Sequence, residues 1–187
     1  MKLRVCMLAL ALAPVLVASA ASPRQSTSAP SAPYHATTGI PSHSLAITGA
    51  VKASVELNLA DLKQLAPRDT GPMDVVCASG EVKGRVNNFR GVLLTDVLNA
   101  VGIDLQSHKD DRRMVIVARA TDGYTVTFSW SELYNTEIGK QALVAWEKDG
   151  KPLDDGEGQF LLISGKDIKT GPRHVRNLSS IEVVRMQ

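Results

Sequence analysis

The chain has 187 residues, a length typical of one domain. Its composition is 44% hydrophobic and 21% charged, which is ordinary for a soluble globular protein. Only 4% of the residues are aromatic and the formal net charge is +2, so the chain lacks both the stacking side chains and the basic excess typical of nucleic-acid-binding proteins.

The first 20 residues have the pattern of a secretory signal peptide. Lys2 and Arg4 precede an apolar run over residues 5–17, and residues 18–20 (Ala-Ser-Ala) form a small-residue cleavage site. The apolar run is shorter than the about 20 residues that a membrane-spanning helix needs, which favours export over a retained anchor. We therefore predict a signal peptide over 1–20, a periplasmic location and no membrane span after cleavage.

Cleavage at this site changes both the charge and the cysteine count. Removal of Lys2 and Arg4 lowers Lys+Arg from 21 to 19, which equals Asp+Glu at 19, so the mature chain is formally neutral. This removes the electrostatic argument for nucleic-acid binding. Cleavage also removes Cys6, which leaves Cys77 without an internal disulfide partner in an oxidising compartment.

Residues 21–44 are rich in Ser, Ala, Pro and Thr and contain almost no large apolar residue. Such a segment buries too little surface to offset the entropy of ordering the chain, so we predict a disordered tether. The predicted domain therefore covers residues 45–187.

The first half of the domain shows strand and helix patterns in alternation. Apolar alternation and turn residues predict strands over 45–49 and 55–59, a short helix capped by Asn58 and stopped by Pro67, and a buried strand over 73–77. Cys77 then lies at a strand-to-loop junction, where functional residues are often found. Apolar residues at helical spacing predict an amphipathic helix over 91–102, closed by Gly102.

The second half reads mainly as strands. Residues 114–120 and 124–128 flank Asp122-Gly123 and predict a hairpin, and Ser129 with Glu132 forms a capping box for a short helix. Further apolar runs predict strands over 142–146, 160–163 and 181–184. The tryptophans, Trp130 and Trp146, are best explained by core packing. The expected architecture is a mixed, strand-rich α+β fold.

Several enzyme classes are excluded by missing motifs. The sequence contains no internal repeat, no glycine-rich phosphate loop, no His/Cys cluster at zinc spacing and no Gly-x-Ser-x-Gly elbow.

Several short blocks, taken in their order along the chain, carry a resemblance to a known family. They include Ile47-Thr48-Gly49-Ala50-Val51, Val75-Val76-Cys77, Phe89-Arg90-Gly91-Val92-Leu93-Leu94, Ala120-Thr121-Asp122-Gly123-Tyr124 and the closing Gly171-Pro172-Arg173-His174-Val175-Arg176. In this order and spacing, the blocks resemble the molybdopterin-binding domain of the sulfite oxidase family. The resemblance extends from about Leu45 to Met186 and implies a single domain of that fold.

The resemblance also implies a cofactor and its ligands. Cys77 matches the cysteine that supplies the protein thiolate to molybdenum, and a soft anionic sulfur suits that metal. Lys169, Arg173, His174 and Arg176 lie in the matching closing segment and are the predicted contacts to the cofactor phosphate or to a small anion. A periplasmic electron-transfer partner is expected for a molybdenum-dependent oxidoreductase of this kind, whereas the substrate and the catalytic residues stay unknown.

Three alternatives remain open at this point. The domain is alternatively a metal-free module that uses the same basic pocket to bind a small anion or a protein. Cys77 is alternatively an inert core residue, and the basic segment a solvated surface. A thiol enzyme that pairs Cys77 with His174 is the third possibility, because a histidine within hydrogen-bond reach lowers a thiol pKa.

Overall fold

The computed structural model describes residues 40–187. The predicted signal peptide and all but the last few residues of the predicted tether lie outside the described residues. Within them, the chain forms one mixed, strand-rich domain, with 12 strands and three short α-helices. The strands are β1 (Leu45–Gly49), β2 (Val55–Leu57), β3 (Arg68–Asp69), β4 (Met73–Val76), β5 (Val82–Val86), β6 (Phe89–Leu93), β7 (Met114–Ala120), β8 (Thr125–Ser129), β9 (Ala142–Lys148), β10 (Lys151–Pro152), β11 (Leu161–Ser164) and β12 (Leu178–Arg185).

The helices are α1 (Leu59–Leu62), α2 (Leu94–Val101) and α3 (Trp130–Asn135). The two predicted caps are present. The Asn58 side chain accepts hydrogen bonds from the first turn of α1, and Ser129 and Glu132 form the capping box of α3. These caps satisfy backbone N–H groups that have no partner inside such short helices.

The strands form three sheets. The first has the order β2-β1-β12-β7-β8, in which β1 and β12 are parallel and the other pairs are antiparallel. The second has the order β10-β9-β6-β3, and β11 also pairs with β9. The third is the two-stranded hairpin of β4 and β5.

The second sheet is buried on both faces. Along β9, Ala142, Val144 and Trp146 belong to the main core, whereas Leu143 and Ala145 belong to a second apolar cluster. Burial on both faces explains why this strand reads as a continuous apolar run instead of an alternating one. The prediction that Trp146 is a core residue is confirmed, and Trp130 is half-buried against the same core.

The β4–β5 hairpin covers the outer face of the second sheet. Val75 and Val86, one from each hairpin strand, pack in the second apolar cluster with the fully buried Phe89. The remainder of β5 is exposed, and only Val75 of β4 is buried, so the prediction of a wholly buried strand at this position is wrong. The hairpin carries Cys77 directly after the last residue of β4.

The predicted helix over 91–102 is wrong in its first part. Residues up to Leu93 form β6, and α2 begins at Leu94 and ends before Gly102, which has a φ of +81°. A Cβ on Gly91 would lie 2.2 Å from the carbonyl oxygen of Val144. The absence of a side chain at Gly91 therefore allows β6 to approach β9 closely, a tertiary requirement that helical periodicity does not reveal.

Candidate functional site

Cys77 lies at the first position of the turn between β4 and β5. Its N–H donates to the Glu81 carbonyl at 2.9 Å, and the Gly80 N–H donates to the Cys77 carbonyl at 2.9 Å. Gly80 has a φ of +93°, a conformation that glycine adopts without steric cost. The turn holds the half-buried Cys77 side chain at the edge of the domain, so the thiol is not enclosed in the apolar core.

The surroundings of Cys77 favour the thiolate. The Ser79 hydroxyl lies 2.8 Å from the Cys77 sulfur, and this hydrogen bond is the main cause of a lowered thiol pKa. Partial burial opposes the shift, while the backbone groups of Ser79 and Glu81 and the charge of Lys83 support it. A lowered pKa increases the fraction of thiolate, which is the form that binds a metal.

Residues 169 and 170, in the closing segment that is predicted to bind an anion, lie against this turn. The Lys169 ammonium donates to the carbonyl of Ala78, and the Thr170 hydroxyl hydrogen-bonds the backbone of β4. Of the residues predicted to bind an anion, the structure therefore brings Lys169 directly to the Cys77 turn.

Arg173 is held by carboxylates. Its guanidinium donates to both oxygens of Asp167 at 2.6 Å and contacts Glu132 at 3.1 Å. The guanidinium carbon also lies 4.3 Å from the ring centre of Phe128, which is a cation–π geometry. Two negative charges therefore offset the positive charge of Arg173, and an anionic ligand would have to compete with them.

His174 is 7% exposed, and its ring packs edge-on against Phe89 at 5.7 Å between ring centres. Burial, with the nearby charges of Arg176 and Lys148, lowers the pKa of His174 to about 3. The imidazole is therefore neutral at physiological pH. The thiol of Cys77 is hydrogen-bonded by Ser79, and the lowered pKa of Cys77 does not depend on His174.

Four functional neighbours were missed by the sequence analysis: Ser79, Thr170, Asp167 and Glu132, the last having been read only as a cap. Ser79 had a local signal, since a serine two residues after a cysteine in a glycine turn can reach the sulfur. Thr170 had none, because its contacts depend on how residues 169–171 lie against β4.

An open cleft of about 360 Å³ lies elsewhere, between the loop over residues 105–108, Asp111 and Trp130. None of the predicted site residues lines it.

Over residues 40–187, no group of three or more His, Cys, Asp or Glu side chains is arranged to hold a metal ion. A metal already carried by a dithiolene needs only one soft donor from the protein, so the single thiol of Cys77 suits such a group. The same residues include no helix with the length and apolar character needed to cross a membrane.

Comparisons with known proteins identify a family and a fold. Residues 32–187 match the family model described as the oxidoreductase molybdopterin binding domain. Among solved structures, the chain is similar to the sulfane dehydrogenase SoxCD from Paracoccus pantotrophus, with a TM-score of 0.59 and 15% sequence identity. The similarity covers 76% of this chain but only 38% of that chain, and at this identity it shows the fold alone. The comparison with curated proteins gave no match.

Proposed function

Because the chain belongs to the oxidoreductase molybdopterin binding domain family, we propose that Cys77 is the protein ligand to a molybdenum held by a pterin cofactor. The observation that carries this proposal is the half-buried thiol at the end of β4, with the Ser79 hydroxyl 2.8 Å from its sulfur and a lowered pKa. An inert core cysteine would instead be enclosed by apolar side chains, and burial would raise its pKa.

The protein's own residues would hold and orient the group. Cys77 offers a soft anionic sulfur, and Ser79 stabilises the thiolate by a hydrogen bond. When bound, molybdenum would supply oxygen-atom or electron transfer. The substrate follows from neither the fold nor the site, since related folds support different reactions.

The residues predicted to contact the cofactor phosphate differ in their availability. Lys169 is exposed and lies at the turn that carries Cys77, so we propose it as the first cation to meet an anion there. Arg176 is half-buried and completes the proposed set. Arg173 would have to exchange Asp167 and Glu132 for the ligand, and His174 would contribute as a neutral hydrogen-bond donor.

The test is the metal content of protein matured in a host that makes the cofactor. We expect about one molybdenum per chain in the natural protein by elemental mass spectrometry, and less than a tenth of that in Cys77→Ser. Val82→Ser is the matched control, because Val82 is 56% exposed on the same hairpin and its replacement keeps the thiol. Full metal content in Cys77→Ser, or none in the natural protein, would overturn the proposal.

The metal-free module is the competing function, and the offset charge of Arg173 bears on it. A small-anion site built on Arg173 has to break two ion pairs first, whereas the metal proposal rests on Cys77 and does not require Arg173 to be available.

We further propose export to the periplasm and an electron-transfer partner there. Export is supported by Lys2, Arg4 and the apolar run over residues 5–17. The partner is supported by the need of a molybdenum oxidoreductase to pass on electrons. Mature protein from a native host should begin at Ala21 by amino-terminal sequencing, and a mature chain that still begins at Met1 would contradict export with cleavage.

A further inference from the structure

Three consecutive residues of the closing segment contact the backbone on both sides of Cys77. Lys169 donates to the carbonyl of Ala78, which follows the cysteine. Thr170 contacts β4 at Val76 and Asp74, one and three residues before the cysteine, and Gly171 lies between the contacts of Lys169 and Thr170. We call residues 169–171 the clasp.

The Thr170 hydroxyl takes the place of a neighbouring strand on β4. It donates to the carbonyl of Asp74 at 2.7 Å and accepts from the N–H of Val76 at 3.0 Å. Residues two apart in a strand direct their backbone groups to the same side, so one hydroxyl can satisfy both. Thr170 is 5% exposed, and its two partners lie 96 and 94 residues earlier in the chain.

Gly171 allows the clasp to reach the strand. A Cβ at this position would lie 2.8 Å from the carbonyl oxygen of Val76 and 3.2 Å from the Cα of Cys77. Real Cβ atoms do not approach a carbonyl oxygen so closely, so any side chain here would push the clasp and the cysteine apart.

The clasp is itself attached to the main body of the domain. The Tyr124 hydroxyl donates to the carbonyl of Pro172 at 2.6 Å, and Tyr124 packs against the main core. Arg173 closes the loop that contains the clasp through its ion pair with Asp167. By contrast, the β4–β5 hairpin pairs with no further strand in the described domain, so the clasp gives β4 hydrogen bonds that no third strand supplies.

From this geometry we propose that Thr170 is a positioning residue for Cys77, which fixes the cysteine end of β4 against the main body of the domain. Its relevance to metal binding rests on the proposed function, whereas its effect on the hairpin does not. The Thr170 hydroxyl hydrogen-bonds the backbone of β4 and not the thiol, so it acts through the position of the sulfur and not on the reacting group.

The test compares Thr170→Val, which keeps the shape and loses the hydroxyl, with Thr170→Ser, which keeps the hydroxyl. Thr125→Val is the matched control, because Thr125 is exposed on β8. In protein without cofactor, we expect Thr170→Val to speed hydrogen exchange of the Val76 amide at least tenfold. We also expect the iodoacetamide alkylation rate of Cys77, measured at one pH, to rise at least threefold. Thr170→Ser and Thr125→Val should stay within twofold of the natural protein in both measurements.

Unchanged exchange and alkylation in Thr170→Val, or the same change in Thr170→Ser, would overturn the proposal. If Thr170→Val does not fold, Lys169→Met tests the same clasp at an exposed position, and an unchanged alkylation rate there would overturn it. Molybdenum content is measured separately on cofactor-loaded protein. A natural protein without metal would remove the proposed function, while the cofactor-free measurements would still decide the role of Thr170.

Discussion

Replacement of Arg173 by methionine tests whether this residue stabilises the fold through its ion pair with Asp167 or is available to bind an anionic ligand. In the structure, Nε and Nη2 of Arg173 each donate to one oxygen of Asp167 at 2.6 Å. The side chain of Arg173 is 18% exposed and that of Asp167 is 10% exposed. Both charges are thus largely removed from water, and Arg173→Met would leave the Asp167 carboxylate without this partner.

The size of the effect follows from this geometry. A hydrogen bond between charged groups contributes about 1.5–3 kcal/mol, and removing one partner of a fully buried pair costs about 3–5 kcal/mol. Because both side chains keep some exposure, we expect Arg173→Met to lower the free energy of unfolding by about 2–4 kcal/mol. In a double-mutant cycle with Asp167→Asn, the coupling energy should be about 2 kcal/mol.

Urea unfolding followed by circular dichroism measures all four members of the cycle. The matched control is the pair of Arg119 and Glu182, joined at 2.8 Å but with side chains 40% and 39% exposed. An exposed pair of this kind should couple by about 0–1 kcal/mol. A coupling energy for Arg173 and Asp167 no larger than that of the control would refute the supporting role and favour an Arg173 available to an anion.

Two further predictions concern stability. Burial and the charge of Arg176 lower the pKa of His174 from 6.5 to about 3. Its stabilising effect is therefore present above pH 6.5 and is lost as the pH falls toward 3, because the unfolded chain then binds a proton that the folded chain does not. Between pH 7 and pH 5 this should remove about 2 kcal/mol, and His174→Gln should abolish that part of the pH dependence of urea unfolding. Gly91→Ala should destabilise the domain by about 1–3 kcal/mol or more through overpacking. The control is Gly84→Ala, which has no atom within 4 Å of the added Cβ and should change stability by less than about 0.5 kcal/mol. Equal effects of the two substitutions in a thermal melt would contradict the close contact at Gly91.

The boundary between β6 and α2 illustrates the limit of periodicity. Leu94, Val97 and Leu98 are fully buried at helical spacing, and the sequence predicts this helix correctly. The predicted helix also included Gly91 to Leu93, but pairing with β9 makes these residues part of a strand. Local spacing does not report which distant strand will lie alongside a segment.

The candidate site likewise contains features that the sequence predicted and features that it did not. The strand-to-loop junction after β4 and the family resemblance singled out Cys77 as a candidate, whereas the hydrogen bond between Ser79 and its sulfur was not predicted. Lys169 was predicted from its basic character, and it does lie at the same turn. The carboxylates that pair with Arg173 belong to Asp167 and Glu132, which lie 6 and 41 residues earlier in the chain. The spacing of residues in the sequence did not predict these ion pairs.

The sequence by itself determined the strand-rich α+β class and the family, and it singled out Cys77 as a candidate ligand, because turn chemistry, apolar alternation and short motifs are properties of neighbouring residues. Only the tertiary structure decided that Thr170 holds β4, that two carboxylates neutralise Arg173 and that His174 is buried and neutral. These properties depend on burial and on contacts between segments distant in the chain, and both arise only when the sheets and the closing segment pack together.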